Sequence, residues 1–155
     1  MVIESVYDTE SITRKYVKVK AVVVEGGTLP AYKRDGDACM DCCSRVTIQI
    51  EPGHRALVPL GFLMELPFGY EGVIRPRSGL TSGEIDEAIG TIDSNYRGEV
   101  KGCIINNSSE VLYIEKGDRI CQLAIREAPL IKWDVVEELS ESERGANGFG
   151  SSGVK

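Results

Sequence analysis

Asp93 and Tyr96 stand three residues apart in Gly90-Thr91-Ile92-Asp93-Ser94-Asn95-Tyr96-Arg97-Gly98-Glu99-Val100. A carboxylate closes a short apolar run, the turn-forming pair Ser94-Asn95 follows, and an aromatic ring comes next, with glycine on either side. The pattern reads as a hairpin tip that holds an acid and a ring in one small space. Such a tip can grip a flat polar ligand with its backbone while Asp93 activates a water. An ordinary solvent-exposed turn has the same local pattern, so the elements and motifs around it must decide.

Three other segments carry groups suited to an anion. Arg75-Pro76-Arg77-Ser78-Gly79-Leu80 follows an apolar run and puts a guanidinium, a hydroxyl and a glycine at an expected strand-to-helix junction, a plausible anion cradle or else a solvated turn. Gly117-Asp118-Arg119-Ile120-Cys121-Gln122-Leu123 is a turn entering a strand, where the amide of Gln122 alternates with Cys121 and Leu123 and needs a partner. Near the end of the chain, Gly148-x-Gly150-x-x-Gly153 and Gly145-x-x-x-x-Gly150-Ser151-Ser152 imitate nucleotide-binding loops. Neither has the strand before and the helix after that those folds require, and the second lacks its lysine. The underlying chemistry still applies. Glycines let backbone N–H groups approach phosphate oxygens, serines add hydroxyls, Arg144 adds a charged fork, and Phe149 can cover a flat ring. A lid that orders over a nucleoside triphosphate has such parts.

Composition narrows the chemistry. The net charge of −6 argues against general nucleic-acid binding but leaves room for a small anion held by clustered arginines, with Arg75, Arg77, Arg119 and Arg144 as candidates. The single histidine, His54, lies in Glu51-Pro52-Gly53-His54 and reads as an exposed turn residue, so a catalytic base is expected to be a carboxylate. The five cysteines are Cys39, Cys42, Cys43, Cys103 and Cys121. Cys39-x-x-Cys42 is half a zinc site with no second half, and free, mostly buried thiols are expected. Were Cys39 to Cys43 a strand, Cys39, Asp41 and Cys43 would share one face and Cys42 the other. No apolar run approaches the roughly 20 residues of a membrane span. With no secretory signal pattern at the start, a cytoplasmic protein is expected.

The elements that must position these groups are mainly strands. Tyr16 to Val24, Val46 to Ile50, Arg55 to Leu66 with a bend at Pro59 and Gly61, Gly72 to Ile74, Val100 to Ile105, Val111 to Ile114, Ile120 to Ile125 and Ile131 to Val136 all carry strand patterns between turn signals. Leu80 to Ile89 is the one expected helix. Many short strands at regular spacing indicate an all-β sandwich or barrel. The 155 residues divide into one domain over 1–139 and a polar, glycine-rich segment over 140–155 expected to be mobile.

Taken in order, the pieces resemble the trimeric dUTPases, which hydrolyse dUTP to dUMP and pyrophosphate. Five motifs carry the likeness: Ala38-Cys39-Met40-Asp41, Arg77-Ser78-Gly79-Leu80, Gly90 to Gly98, Gly117 to Leu123, and Arg144 to Gly153. Each alone is weak, but five in family order are specific. The resemblance implies a distorted jelly-roll or barrel subunit and a homotrimer whose three shared active sites are each built from all three chains. It implies Asp93 as the base orienting water at the α-phosphorus, Gln122 as a second catalytic residue at a phosphate-side position, and Tyr96 beneath the deoxyribose. Gly90, Thr91 and Ile92 would bind uracil through their backbone. Arg77, Ser78 and Gly79 match phosphate contacts, Arg144, Ser151 and Ser152 match γ-phosphate contacts, and Phe149, next to Gly150, stacks on the base. Mg²⁺ would be chelated by the triphosphate, with Asp41 at most touching its waters.

Two positions depart from the family pattern. Cys39 stands where glycine is frequent, and Glu87, in a shortened Gly83 to Glu87 loop, stands where many members have asparagine. The nearest alternative enzyme, a dCTP deaminase of the same fold, has a glutamate ten residues after the third-motif aspartate; here that position is Cys103. A regulatory interaction protein on this fold is the other alternative, against which the intact Asp93, Tyr96, Arg144 and Phe149 argue.

Overall fold

Alternation of apolar and polar residues over short runs suits strands that bury one face and expose the other. The computed structural model describes residues 16–81 and 83–146. These form β1 (Lys20–Val23), β2 (Met40–Cys43), β3 (Ile48–Ile50), β4 (Arg55–Pro59), β5 (Phe62–Glu65), β6 (Tyr70–Arg75), α1 (Ser78–Thr81), β7 (Ile85–Ala88), β8 (Gly90–Ile92), β9 (Lys101–Asn106), β10 (Leu112–Ile114) and β11 (Arg119–Glu127). They assemble as small sheets in the orders β1-β5, β10-β3, β2-β11-β6-β8 and β4-β9-β7. The described pairings are antiparallel. The all-β expectation therefore holds. No described helix is long and apolar enough to cross a membrane.

The bend expected within Arg55 to Leu66 divides β4 from β5. Gly61 takes a φ of +82°, in the left-handed region that glycine enters at little cost. Leu60 is held there by donating its N–H to the Val100 carbonyl at 3.0 Å. The core is drawn from several sheets: Val58, Leu60, Phe62, Ile74, Val100, Ile104, Ile120 and Leu123 are all buried. Each such side chain contributes roughly 1.5–3 kcal/mol by leaving water. Asn106, a polar residue buried among them, is fully satisfied. Its amide donates to the carbonyls of Ile50 and Glu110 at 2.8 Å, and its oxygen accepts from the Ser108 N–H and hydroxyl at 3.0 and 2.7 Å.

Three expectations need correction. The helix stops after one turn, and Ile85 to Ala88 forms strand β7 instead, burying Ile85 and Glu87 on one face and exposing Asp86 and Ala88 on the other. Ile131 to Val136 forms no strand; it is exposed along its length. Finally, Gly90 to Val100 is not a hairpin, because β8 pairs with β6 whereas β9 pairs with β4 and β7. The turn at Ser94-Asn95 passes from one sheet to another, so a cleft opens where a hairpin would have closed a ladder.

Candidate active site

The Asp93–Tyr96 turn is held from both ends. Ile92 is buried and anchors the end of β8 in the core, leaving the next residue, Asp93, exposed. Tyr96 donates its N–H to the Asp93 carbonyl at 3.0 Å, and its hydroxyl donates to the Glu99 carbonyl at 3.1 Å. The ring thereby lies over Gly98, where a Cβ would collide with the Tyr96 hydroxyl; this position is reserved for glycine by the close approach. Arg97 clamps the turn by donating to the carbonyls of Ser94 and Tyr96 at 2.7 and 2.9 Å. Glu99 in turn accepts a two-pronged bond from Arg45, at 2.7 and 3.0 Å, and another from the Gly61 N–H at 3.0 Å. The Arg45 guanidinium is the main cause that holds the Glu99 carboxyl below its ordinary range, and the Gly61 N–H adds to it. Sequence, turn and ring position are thus linked through one ion pair.

Beside this turn lies a cavity of about 350 Å³ lined by Leu57, Ile74, Gly90 to Asp93, Tyr96 and Glu99 to Lys101. One wall is β8, which ends the order β2-β11-β6-β8. An edge strand offers backbone N–H and C=O groups that its own sheet does not use. Leu57 and Ile74 supply apolar walls, while Asp93 puts a carboxylate at the rim. This arrangement can accept a flat, edge-polar ring and hold a water against whatever the ring carries.

A second cavity of about 320 Å³ is lined by Lys33, Arg34, Asp37, Ala38, Cys39, Asp41, Arg77 and Gln122. The order across the sheet explains its chemistry. Asp41 on β2 lies opposite Gln122 on β11, and Gln122 lies opposite Arg75 on β6. Residues directly opposite in antiparallel strands share a face. Pro76 ends β6, and Arg77 folds back to donate to Asp41 at 3.1 Å and to the Arg119 carbonyl at 2.7 Å. Arg119 donates to the other Asp41 oxygen at 3.1 Å. One carboxylate therefore gathers two guanidinium groups, leaving a basic, hydrogen-bonding cavity suited to phosphate oxygens. Ser78 and Gly79, the exposed start of α1, follow immediately.

The sequence-derived candidates thus fall into two groups. Gly90, Thr91, Ile92, Asp93 and Tyr96 meet at the first cavity, and Asp41, Arg77 and Gln122 at the second; the two cavities have no lining residue in common. Arg144 is exposed beside a turn in which the Gly145 N–H donates to Ser142, and it lines neither cavity. Phe149, Gly150, Ser151 and Ser152 lie outside the described residues. His54 sits exposed in its turn with Nδ1 3.0 Å from the Pro52 carbonyl. Cys42 faces the core, as the alternation suggested, while Cys39 is half-buried in the second cavity. Sequence reasoning missed Arg45, Glu99, Lys33 and Arg34. The Lys33-Arg34 pair was visible as a basic doublet just before the first motif, whereas nothing local tied Arg45 to Glu99.

Glu87 points away from both cavities into the core. It is 4% exposed, and neither carboxyl oxygen has a hydrogen-bond partner of good geometry among the described residues. Its Oε1 occupies the space above Gly102, with the Cys121 thiol alongside. Burial is the main cause that pushes its pKa up to about 8. The thiol of Cys121 is also pushed up, first by its hydrogen bond with Cys42 and then by burial, so it stays protonated.

A family model described as dUTPase matches residues 25–153. A deoxyuridine 5'-triphosphate nucleotidohydrolase of Corynebacterium diphtheriae is 48% identical over 130 residues, covering 81% of this chain and 86% of that protein. The protein of the same name from Orientia tsutsugamushi, strain Ikeda, is 44% identical over 146 residues, covering 90% and 99%. Among solved structures, the Staphylococcus bacteriophage 80alpha dUTPase with dUpNHpp superposes with a TM-score of 0.82 at 29% identity, covering 88% of this chain and 99% of that one.

Proposed function

The chain belongs to the dUTPase family, and from that premise we propose that it hydrolyses dUTP to dUMP and pyrophosphate. The observation that carries the reading is the cavity at the free edge of β8, with Asp93 at its rim and Tyr96 fixed over Gly98. Uracil pairs with the backbone of Gly90, Thr91 and Ile92. A base read in this way excludes cytosine, whose swapped donors and acceptors would leave buried groups unpaired; sites of that kind discriminate by roughly 10⁴-fold. The Tyr96 ring lies beneath the deoxyribose and leaves no room for a 2′-hydroxyl. Asp93 accepts a proton from the water it orients toward the α-phosphorus, the role left to a carboxylate in a chain whose one histidine lies in a turn.

Arg77, Ser78, Gly79 and Gln122 bind the phosphate chain, with Gln122 close to the reacting phosphorus. Arg144, Ser151 and Ser152 close on the γ-phosphate, and Phe149 and Gly150 cover the base. These donors stabilise charge that builds on the phosphates during attack. Both Asp41 oxygens are engaged by arginines, so Asp41 suits contact with a metal's waters better than direct ligation. Mg²⁺, held by the substrate phosphates, would add charge neutralisation.

The two groups of residues line separate cavities within one chain, which supports a site completed by other copies in a homotrimer of jelly-roll subunits. The segment after β11 supports the same arrangement. Leu130, Ile131, Trp133, Val135 and Leu139 are each more than 75% exposed, a cost to a free monomer that a neighbouring subunit would relieve. Position 103, where a deaminase would need a carboxylate, is a half-buried thiol on β9. Asp93→Asn is expected to retain binding of a non-hydrolysable dUTP analogue while turnover falls by at least about 10²-fold. Near-normal turnover in that variant would overturn the assignment of the base.

A further inference from the structure

Arg75 is the one arginine of the second motif region to which the mechanism above gives no task. Its strand fixes where its side chain goes. Proline at position 76 restricts Arg75 to an extended conformation, so the alternation of β6 continues to its last residue. Arg75 lies directly opposite Gln122, which lies directly opposite Asp41, and the three side chains therefore stand in a row on one face of the sheet. The Asp41 carboxylate at the far end of that row is already engaged by Arg77 and Arg119. At the near end, the Arg75 Nε is buried and has no hydrogen-bond partner among the described residues. Buried donors are almost always satisfied, and guanidinium keeps its charge at any ordinary pH, so an orphaned Nε–H calls for an acceptor from outside the chain.

We propose that Arg75 is a further substrate-binding residue, donating to a non-bridging oxygen of the phosphate chain held at Gln122; this rests on the dUTP-hydrolysing reading above. Arg75 itself does not line the second cavity, but side chains directly across an antiparallel pair start about 5 Å apart, so an extended arginine at this position spans the distance to an oxygen held at Gln122. Arg77 and Arg119 are tethered by Asp41 and act as fixed charges. Arg75 has no such tether in the described residues and gains its partner only when the anion arrives.

The test compares the wild-type protein with Arg75→Gln and Arg75→Lys. It measures hydrolysis of dUTP, binding of the α,β-imido analogue of dUTP, binding of deoxyuridine, and molecular mass by sedimentation. Arg75→Gln should raise the KM for dUTP and the Kd for the analogue by roughly 10- to 100-fold, the effect of losing a hydrogen bond to a charged group. The deoxyuridine affinity should stay within about twofold, the mass should not change, and Arg75→Lys should recover part of the loss. Analogue affinity within twofold of wild type would overturn the inference. So would equal weakening of deoxyuridine, which marks a general disturbance of the fold, or a lower mass, which assigns Arg75 to a contact between copies. If active wild-type protein and Arg75→Gln bind the analogue alike, the dUTPase reading stands and the role of Arg75 alone falls.

Discussion

Replacing Glu87 with glutamine removes an ionisable group from the core while keeping its size. In the folded chain the carboxyl is 4% exposed with only the Cys121 thiol beside it, and burial, partly offset by that thiol, raises its pKa from 4.5 to about 8. The unfolded chain releases that proton near pH 4.5, whereas the folded chain keeps it until about pH 8. Between those values the native state binds more protons, so stability falls as pH rises and levels off above the folded pKa. Each unit is worth 1.36 kcal/mol, so the penalty at pH 7 is about 3 kcal/mol. Glutamine carries no such penalty, although its amide is still a buried polar group. Urea unfolding of both proteins at one concentration, between pH 5 and pH 8, isolates the contribution from other carboxylates. The stability of Glu87→Gln relative to wild type should rise by roughly 3 kcal/mol across that range. Parallel curves would show that Glu87 is solvated or paired in solution and would refute the reasoning.

Two further perturbations address the site. Gly98→Ala drives a Cβ into the Tyr96 hydroxyl and breaks its bond to Glu99; the KM for dUTP should rise about tenfold or more in steady-state assays, with a loss of stability of about 1–3 kcal/mol by thermal melting. Deleting Arg144 to Lys155 should abolish most turnover while leaving mass and melting behaviour close to wild type, as expected of a lid. An undiminished rate would show that this segment is not one.

The chemistry was more legible in the sequence than the sheet pairing. Asp93, Tyr96 and Gly98 stand together because turn chemistry is local, and the structure keeps them together. Their turn nevertheless links two sheets, a fact decided by the distant partners β6 and β4. Strand β7 was hidden by its own content. Ile85-Asp86-Glu87-Ala88 offers one clearly apolar side chain, and the second inward position is an acid, so period-two alternation could not reveal it. Ile131 to Val136 erred the other way: Ile131, Trp133 and Val135 alternate with polar residues, yet the segment has no strand partner among the described residues of its own chain. Such a pattern without a partner fits a contact supplied by another copy. The Arg45–Glu99 pair, 54 residues apart, shows the remaining limit, since each residue alone looks like surface charge.

In the proposed function the edge of β8 reads uracil on a deoxyribose and Asp93 directs water at the attached phosphate. Incubating the full chain with Mg²⁺ and, separately, dUTP, dCTP, dTTP and UTP tests it most directly. The expected products are dUMP and pyrophosphate from dUTP, with little or no product from the other three. Ammonia released from dCTP, or hydrolysis of UTP at a rate comparable to dUTP, would contradict it.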